Sequence, residues 1–416
     1  MTIAQLPLAG LPPSFKSRIA ECIARSRGSP LAALRAGRSL ELYYEVGDPH
    51  SQLCAALARR LLPRLPQGLT IRVVPAPDAS TYPEEARQRA FAAADAARLA
   101  PCHGLPAPLA IPAMYHAEIE YRLIAAAQRG TAAFLDAERD TLAQLAAGET
   151  LVAPTGTESI QTREVLQANA ARRQTLGHYL PAMWQYRGEW FWALDRLEFL
   201  EARLIEHGAL QGNGPLSLLD PAQLPQPAGT PGAPLEFWYS FRSPYSYVAA
   251  VELLRQRAQG RHATLQVRPV LPMVMRGLPV PQVKRLYIVR DVKRCADAQG
   301  IPFGRIHDPV GDGVLRLLTV FPYTADVDTQ LRYCAIAGQT VWAEGLDARR
   351  DDVLRSVIER CGLDWNTAQA KLAQGVDTRE AEANREALFA AGLWGVPSFR
   401  QGTFTTWGQD RIWMLS

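Results

Sequence analysis

Apolar residues recur along this chain in two rhythms, and the order in which the rhythms alternate predicts its elements. Near-continuous apolar runs at 40–46 (LELYYEV) and 235–241 (LEFWYSF) predict strands. Each run meets a proline-marked turn and then apolar residues at helical spacing: Leu53, Leu57 and Leu61 after the first, Tyr247, Ala250, Val251 and Leu254 after the second. An aliphatic second strand follows, LTIRVVPAP at 69–77 and TLQVRPVLP at 264–272. Next comes a long stretch of helical periodicity, for instance Leu286, Val289, Val292 and Cys295. A late proline then introduces a strand, a turn, another strand and a closing helix.

The same order occurs twice because the chain repeats itself. Residues 39–55 (SLELYYEVGDPHSQLCA) align without gaps to 234–250 (PLEFWYSFRSPYSYVAA) at an offset of 195, with six of 17 positions identical. The same offset lays 69–77 on 264–272 and pairs Pro77 with Pro272. A later match sets LPAMWQYRGEWFWALDRL (180–197) against VPSFRQGTFTTWGQDRIWML (396–415), pairing Pro181 with Pro397, Trp192 with Trp407 and Asp195-Arg196 with Asp410-Arg411. Strand, helix, strand, helical insertion, hairpin and helix is the order of a thioredoxin-like fold with an inserted helical subdomain. The expectation is α/β, in two tandem copies. Residues 1–36 read as an N-terminal extension with one short amphipathic helix, 37–210 as the first domain and 234–416 as the second. Between them, 211–233 is a linker whose prolines and glycines can neither continue a helix nor hold a strand ladder.

Composition narrows the function classes. Apolar residues at 48% and charged residues at 21% allow each half a packed core. The net charge of +4 comes from interspersed basic and acidic residues, which disfavours nucleic acid as a partner. No apolar stretch approaches the roughly 20 residues of a membrane span, and the N-terminus lacks the pattern of a secretory signal, so a cytoplasmic protein with no membrane partner is expected. The six cysteines are scattered, without a C-x-x-C pair or metal-ligand spacing to histidine; they read as mostly buried, inert thiols, and no metal is expected.

The candidate chemistry lies where the second copy passes from strand to helix. In Ser243-Pro244-Tyr245-Ser246, serine is a strong N-cap and proline suits the first helical turn, so amide N–H groups and the positive dipole end face outward. In thioredoxin-like proteins this turn holds C-x-x-C, but here both cysteine positions are serine and no disulfide can form there. With the later VRPVLP, WGVPSF and WGQDR, this turn resembles the 2-hydroxychromene-2-carboxylate isomerase family, which includes the kappa-class glutathione transferases, in the DsbA-like branch of the thioredoxin superfamily. The resemblance covers most of 234–416, and the first half shares it in outline.

The resemblance implies a glutathione-dependent isomerase or transferase for a small aromatic or enone-like acid. Glutathione's thiolate would add to a conjugated carbon, allow rotation, and leave. Ser243 would donate to that sulfur; Val396, before the family's cis-proline at Pro397, would pair with the extended glutathione peptide. Asp410, with Gln409, would meet the γ-glutamyl end, and Lys284 the glycyl carboxylate. Each has a plainer alternative: a helix cap for Ser243, a structural cis-proline, a second cap for Asp410, a solvated basic helix face for Lys284. Tyr245, Tyr247, Trp394 and Trp407 would line the substrate pocket, or else serve as core aromatics. The family's Asn in the loop after VRPVLP is absent from MVMRGLPVPQ, and the last helix is shorter than that of the first half.

The first copy carries Asp48 where the second has Ser243, and a carboxylate about 4 Å from a sulfur opposes its ionisation. That copy is expected to be degenerate, with His50 a surface residue and Cys54 in the core. The kappa-like resemblance implies a homodimer, or an intramolecular pseudo-dimer of the two halves. Two other readings stay open: a non-catalytic DsbA-fold binding protein, and a thiol–disulfide oxidoreductase, which would need a cysteine at position 243 or 246.

Overall fold

The computed structural model describes residues 13–78, 82–151, 155–225, 229, 232–278 and 280–416. Two helices open the described chain, α1 (Pro13–Arg25) and α2 (Pro30–Ala36). Between them Ser29 turns the backbone and caps α2, its Oγ accepting from the Ala32 amide at 3.3 Å. The described part of the predicted extension therefore holds two helices, and they belong to different units. One compact unit lies within 27–226; α1 joins the other, within 227–416. There α1 packs against the long helix of 282–298, where Arg290 Nε donates to Ser26 Oγ at 3.2 Å.

In the first unit β1 (Leu40–Tyr44), α3 (Pro49–Leu61) and β2 (Leu69–Val73) precede four helices, α4 (Glu85–Cys102), α5 (His116–Gln128), α6 (Thr131–Ala146) and α7 (Gly156–Thr175). The hairpin β3 (Met183–Tyr186) and β4 (Glu189–Trp192) and the helix α8 (Leu197–Glu206) close it. The sheet order is β2-β1-β3-β4, with β1 and β2 parallel and the other pairs antiparallel. β1 lies inside the sheet between β2 and β3 and is buried along its whole length, on both faces.

The second unit repeats this plan with β5 (Leu235–Tyr239), α9 (Pro244–Ala258) and β6 (Leu265–Pro269), then α10 (Gln282–Ala298), α11 (Asp312–Thr319), α12 (Val327–Trp342), α13 (Asp351–Arg360), α14 (Trp365–Ala373) and α15 (Arg379–Ala390). The hairpin β7 (Ser398–Gln401) and β8 (Phe404–Trp407) follows. Its order is β6-β5-β7-β8, with the same pattern of parallel and antiparallel pairs. The closing element is a 3-10 helix, Gln409–Met414, rather than an α-helix. Both first strands stop two residues earlier than predicted, because Glu45-Val46 and Ser240-Phe241 already belong to the turn.

Strand pairing corrects the repeat in two places. Leu40 pairs with Leu69 and Leu235 with Leu265, so β2 maps onto β6 at an offset of 196 rather than 195. Arg72 then matches Arg268, and each reaches the buried glutamate of the neighbouring strand, Arg72–Glu41 at 2.8 Å and Arg268–Glu236 at 2.7 Å. Pro77 and Pro272 are not equivalent. In the hairpins Leu42 faces Trp184 and Phe237 faces Phe399, which sets Ala182, not Pro181, opposite Pro397. The Ala182 carbonyl accepts from Ala193 at 2.8 Å as that of Pro397 does from Gly408 at 2.9 Å. Ala182 holds φ of 53°, whereas the Val396–Pro397 peptide is cis.

The first part of the predicted linker is anchored to its own unit: the Asp220 amide bonds the Cys102 carbonyl at 2.7 Å and Arg64 holds the carbonyls of Gln211 and Gly214, both at 2.9 Å. Residues 226–228, 230 and 231 of that linker, and 1–12 of the extension, lie outside the described residues. Among the described residues no helix is long and apolar enough to cross a membrane, and no group of three or more His, Cys, Asp or Glu could hold a metal ion.

Candidate active site

Three segments of the second unit converge at the end of the sheet where β5 stops. The turn 240–243 leads from β5 into α9; Val396-Pro397 enters β7, whose first residue pairs with Trp238; and Gly408, after β8, donates to the Pro397 carbonyl. Sequence places Ser243 at the first of these. Its backbone is extended (φ −102°, ψ 109°) and its Oγ accepts the Ser246 amide at 3.1 Å, with Pro244 in the first helical position. The same hydroxyl donates to the Val396 carbonyl at 3.4 Å, the weak limit for such a bond. Ser243 and Val396 are both half-buried and Pro397 is buried. Behind them Ser240 and Ser246 are buried, and among the described residues neither hydroxyl has a hydrogen-bond partner. The site thus combines a helix N-terminus, one accessible hydroxyl and unused polar capacity, a donor set that fits a soft anion such as a bound thiolate.

The neighbours of Ser243 are held firmly. Arg242 forms a two-pronged pair with Asp308 at 2.8 and 2.7 Å. Tyr245 donates to the buried Asp291 of α10 at 2.7 Å, and Arg294 meets the other oxygen of Asp291 at 3.0 Å. Lys284 lies two turns before Asp291 on the same helix. It is half-buried rather than on a solvated face, and burial pushes its ammonium pKa down. Gln409 is buried and donates to Asp410 Oδ1 at 2.9 Å.

The aromatic set divides. Tyr247 is a core residue: its hydroxyl donates to the Pro302 carbonyl at 3.1 Å, and its ring packs so closely on α12 that a Cβ at Gly338 would lie 2.4 Å from it. The rings of Trp394 and Trp407 lie 5.4 Å apart, tilted by 30°, and a Cβ on Gly395 would come within 2.8 Å of Trp407 Nε1. Trp394 borders a pocket beside Val396 that also receives Arg276 and Arg385. Neither arginine stands out in the sequence, since neither lies in one of the motifs SPYS, VRPVLP, WGVPSF or WGQDR.

In the first unit the corresponding turn is capped by Asp48, which accepts the Ser51 amide at 2.8 Å and the Ser51 hydroxyl at 2.6 Å. His50, expected at the surface, is 3% exposed, with Nε2 3.6 Å from the buried Asp95 and its ring against Trp192. Every residue of α3 from His50 to Ala58 is buried, so no face of this stretch is left to solvent. Cys54 is fully buried, its thiol 3.9 Å from the Ala182 carbonyl. Of the cysteines only Cys22 is exposed, and none lies at either turn.

Residues 234–416 match the DSBA-like thioredoxin domain family. Over 189 residues the chain is 25% identical to the 2-hydroxychromene-2-carboxylate isomerase of Pseudomonas putida, covering 44% of this chain and 91% of that protein. The Sphingobium xenophagum protein of the same name is 23% identical over 188 residues, covering 43% and 93%. A solved 2-hydroxychromene-2-carboxylate isomerase structure, at 25% identity, covers 43% of this chain and 91% of that one with a TM-score of 0.37. Residues 234–416 thus match the DSBA-like thioredoxin domain family, and the proteins that this chain resembles in sequence are 2-hydroxychromene-2-carboxylate isomerases.

Proposed function

We propose that the second unit is a glutathione-dependent isomerase or transferase of the 2-hydroxychromene-2-carboxylate isomerase type, acting on a small aromatic or enone-like acid. The observation that carries this reading is the Ser243 hydroxyl, half-buried at the N-terminus of α9 and held to Val396 only by a 3.4 Å bond. Glutathione, when bound, supplies a thiolate able to add to and leave a conjugated carbon. Ser243 would turn its proton from the Val396 carbonyl to the sulfur, and the freed carbonyl together with the Val396 amide would pair with the peptide as an added strand does. The α9 dipole favours the same negative charge. Asp410, oriented by Gln409, would take the γ-glutamyl ammonium group, and Lys284 or another cation the glycyl carboxylate. Trp394 would bound the aromatic portion of the substrate.

The first unit, on this reading, is a tandem copy of the same fold that has lost the activity: Asp48 replaces the hydroxyl donor, and Ala182 replaces the cis-proline. Two measurements test the assignment together. Calorimetry should detect glutathione binding at millimolar concentration or tighter, and absorbance should follow glutathione-dependent conversion of 2-hydroxychromene-2-carboxylate. Glutathione binding without conversion would leave a binding protein; absence of both would discard the reading.

A further inference from the structure

The pocket beside Val396 has a lining that the site described above does not explain. Apolar side chains from the segment after β6, from α15 and from Trp394 make its walls, and among the described residues the charged groups that line it are the guanidinium groups of Arg276 and Arg385, with no carboxylate. Both guanidinium groups lie over the ring of Phe389, Arg276 at 5.7 Å and Arg385 at 5.3 Å from its centre. Such stacking restrains the plane of a guanidinium group without using its hydrogen-bond donors.

Arg385 is the better defined of the two. Its Nε donates to the Glu382 carboxylate at 2.7 Å, and its terminal nitrogens make no hydrogen bond among the described residues. The side chain is 28% exposed, so it is neither sealed in the core nor free in solvent. A guanidinium group fixed at Nε by a carboxylate and across its face by an aromatic ring presents its remaining N–H groups in one direction. That geometry meets a carboxylate with two parallel hydrogen bonds. Apolar walls weaken solvent screening and strengthen the attraction.

We propose that Arg385 and Arg276 form a carboxylate-binding subsite, taking the acid group of a ligand whose reacting end lies at Ser243. The proposal rests on the reading of Ser243 given above, and its position follows from Val396, which both lines this pocket and accepts from Ser243. Two ligands of that reading carry the required group: the glycyl end of glutathione and the acid substrate itself. The shared chemistry is a carboxylate held beside an apolar wall.

The test uses the full chain with Arg385→Met and Arg276→Met, which keep an apolar stem on Phe389, and with Arg385→Lys, which keeps the charge without the fork. Circular dichroism and thermal melts check folding. Calorimetry measures glutathione and its glycyl ethyl ester, and steady-state kinetics measures KM for 2-hydroxychromene-2-carboxylate. Losing a charged hydrogen-bond pair should weaken the carboxylate ligand about ten- to a hundredfold, with partial recovery in Arg385→Lys. If glutathione weakens and its ester does not, the glycyl carboxylate occupies the subsite. If only the KM of the acid rises, the substrate occupies it. Folded Met variants that leave both within twofold overturn the proposal. Should the wild-type protein bind neither ligand, salicylate separates the two ideas: saturable binding lost in the Met variants upholds the subsite while the proposed function falls, and no binding overturns both.

Discussion

The Ser243 hydroxyl meets the Val396 carbonyl at 3.4 Å while its oxygen accepts the Ser246 amide at 3.1 Å, so one side chain both caps α9 and points its proton toward the neighbouring backbone. The two duties separate by substitution. Ser243→Ala removes both, lowering stability by about 1 kcal/mol through the lost cap and kcat/KM with glutathione by roughly ten- to a thousandfold through the lost donor. Ser243→Asp copies the cap that Asp48 provides in the first unit. It should restore the melting temperature but not the rate, because an ionised carboxylate has no proton to give and repels a thiolate. Thermal melts beside kinetics check this, and full activity in Ser243→Asp would sink the assigned role.

Asp410 makes a different prediction because it is assigned to binding rather than to the sulfur. Asp410→Asn keeps the size of the side chain and an acceptor for Gln409 while removing the charge. The dissociation constant of glutathione should rise about tenfold, the worth of one charge-assisted contact. For an analogue acylated on the γ-glutamyl amine it should stay nearly constant. Calorimetry on both ligands checks this; equal losses for the two would place the effect in the fold rather than in the ammonium group.

How much of this was legible in the sequence depended on how local each signal is. The strands and the α9 cap were readable because LEFWY and Ser-Pro act within a few residues of themselves. The register of β2 was not, since a shift of one residue leaves LTIRVV just as strand-like and only the pairing of Leu40 with Leu69 decides it. Pro181 misled for the same reason: it looks like Pro397, yet the hairpin puts Ala182 in that place. His50 follows a polar Asp-Pro pair and reads as surface, but α3 turns it toward Asp95. Arg276 and Arg385 lie more than 100 residues apart in the chain and meet only over Phe389.

Gly395 is a site where one methyl group should matter. A Cβ there would stand 2.8 Å from Trp407 Nε1, closer than real contacts allow, and Trp407 packs against the ring of Trp394 at 5.4 Å and cannot swing aside freely. Gly395→Ala should destabilise the protein by about 1–3 kcal/mol, the range for overpacking a well-filled site. The shift should also appear in tryptophan fluorescence, since both rings must move. An unchanged melting curve and spectrum would mean that the indole pair repacks at no cost.

Glu45 and His262 should give the two units opposite responses to pH. Glu45 is buried; burial first, then the Asp48 charge, pushes its carboxyl up to about 7, against the pull of Arg89 at 3.1 Å and of Arg173. Because that value exceeds the ordinary 4.5, its contribution to native stability is fully present below about pH 4.5 and is lost as pH rises through about 7. His262 is also buried, and burial, with Arg261 next, lowers it from 6.5 to about 4, consistent with a neutral ring bonded to Gln256 at 2.7 Å. Its contribution is present above about pH 6.5 and is lost as pH falls toward 4. Glu45→Gln should therefore stabilise the first unit by about 1–3 kcal/mol at pH 8 and flatten its decline between pH 5 and about 8. His262→Gln should flatten only the acid side of the second unit. Amide hydrogen exchange on the full chain, read separately in peptides of 40–73 and 235–269, distinguishes the two: unchanged slopes in both variants would place the responsible protons on other groups.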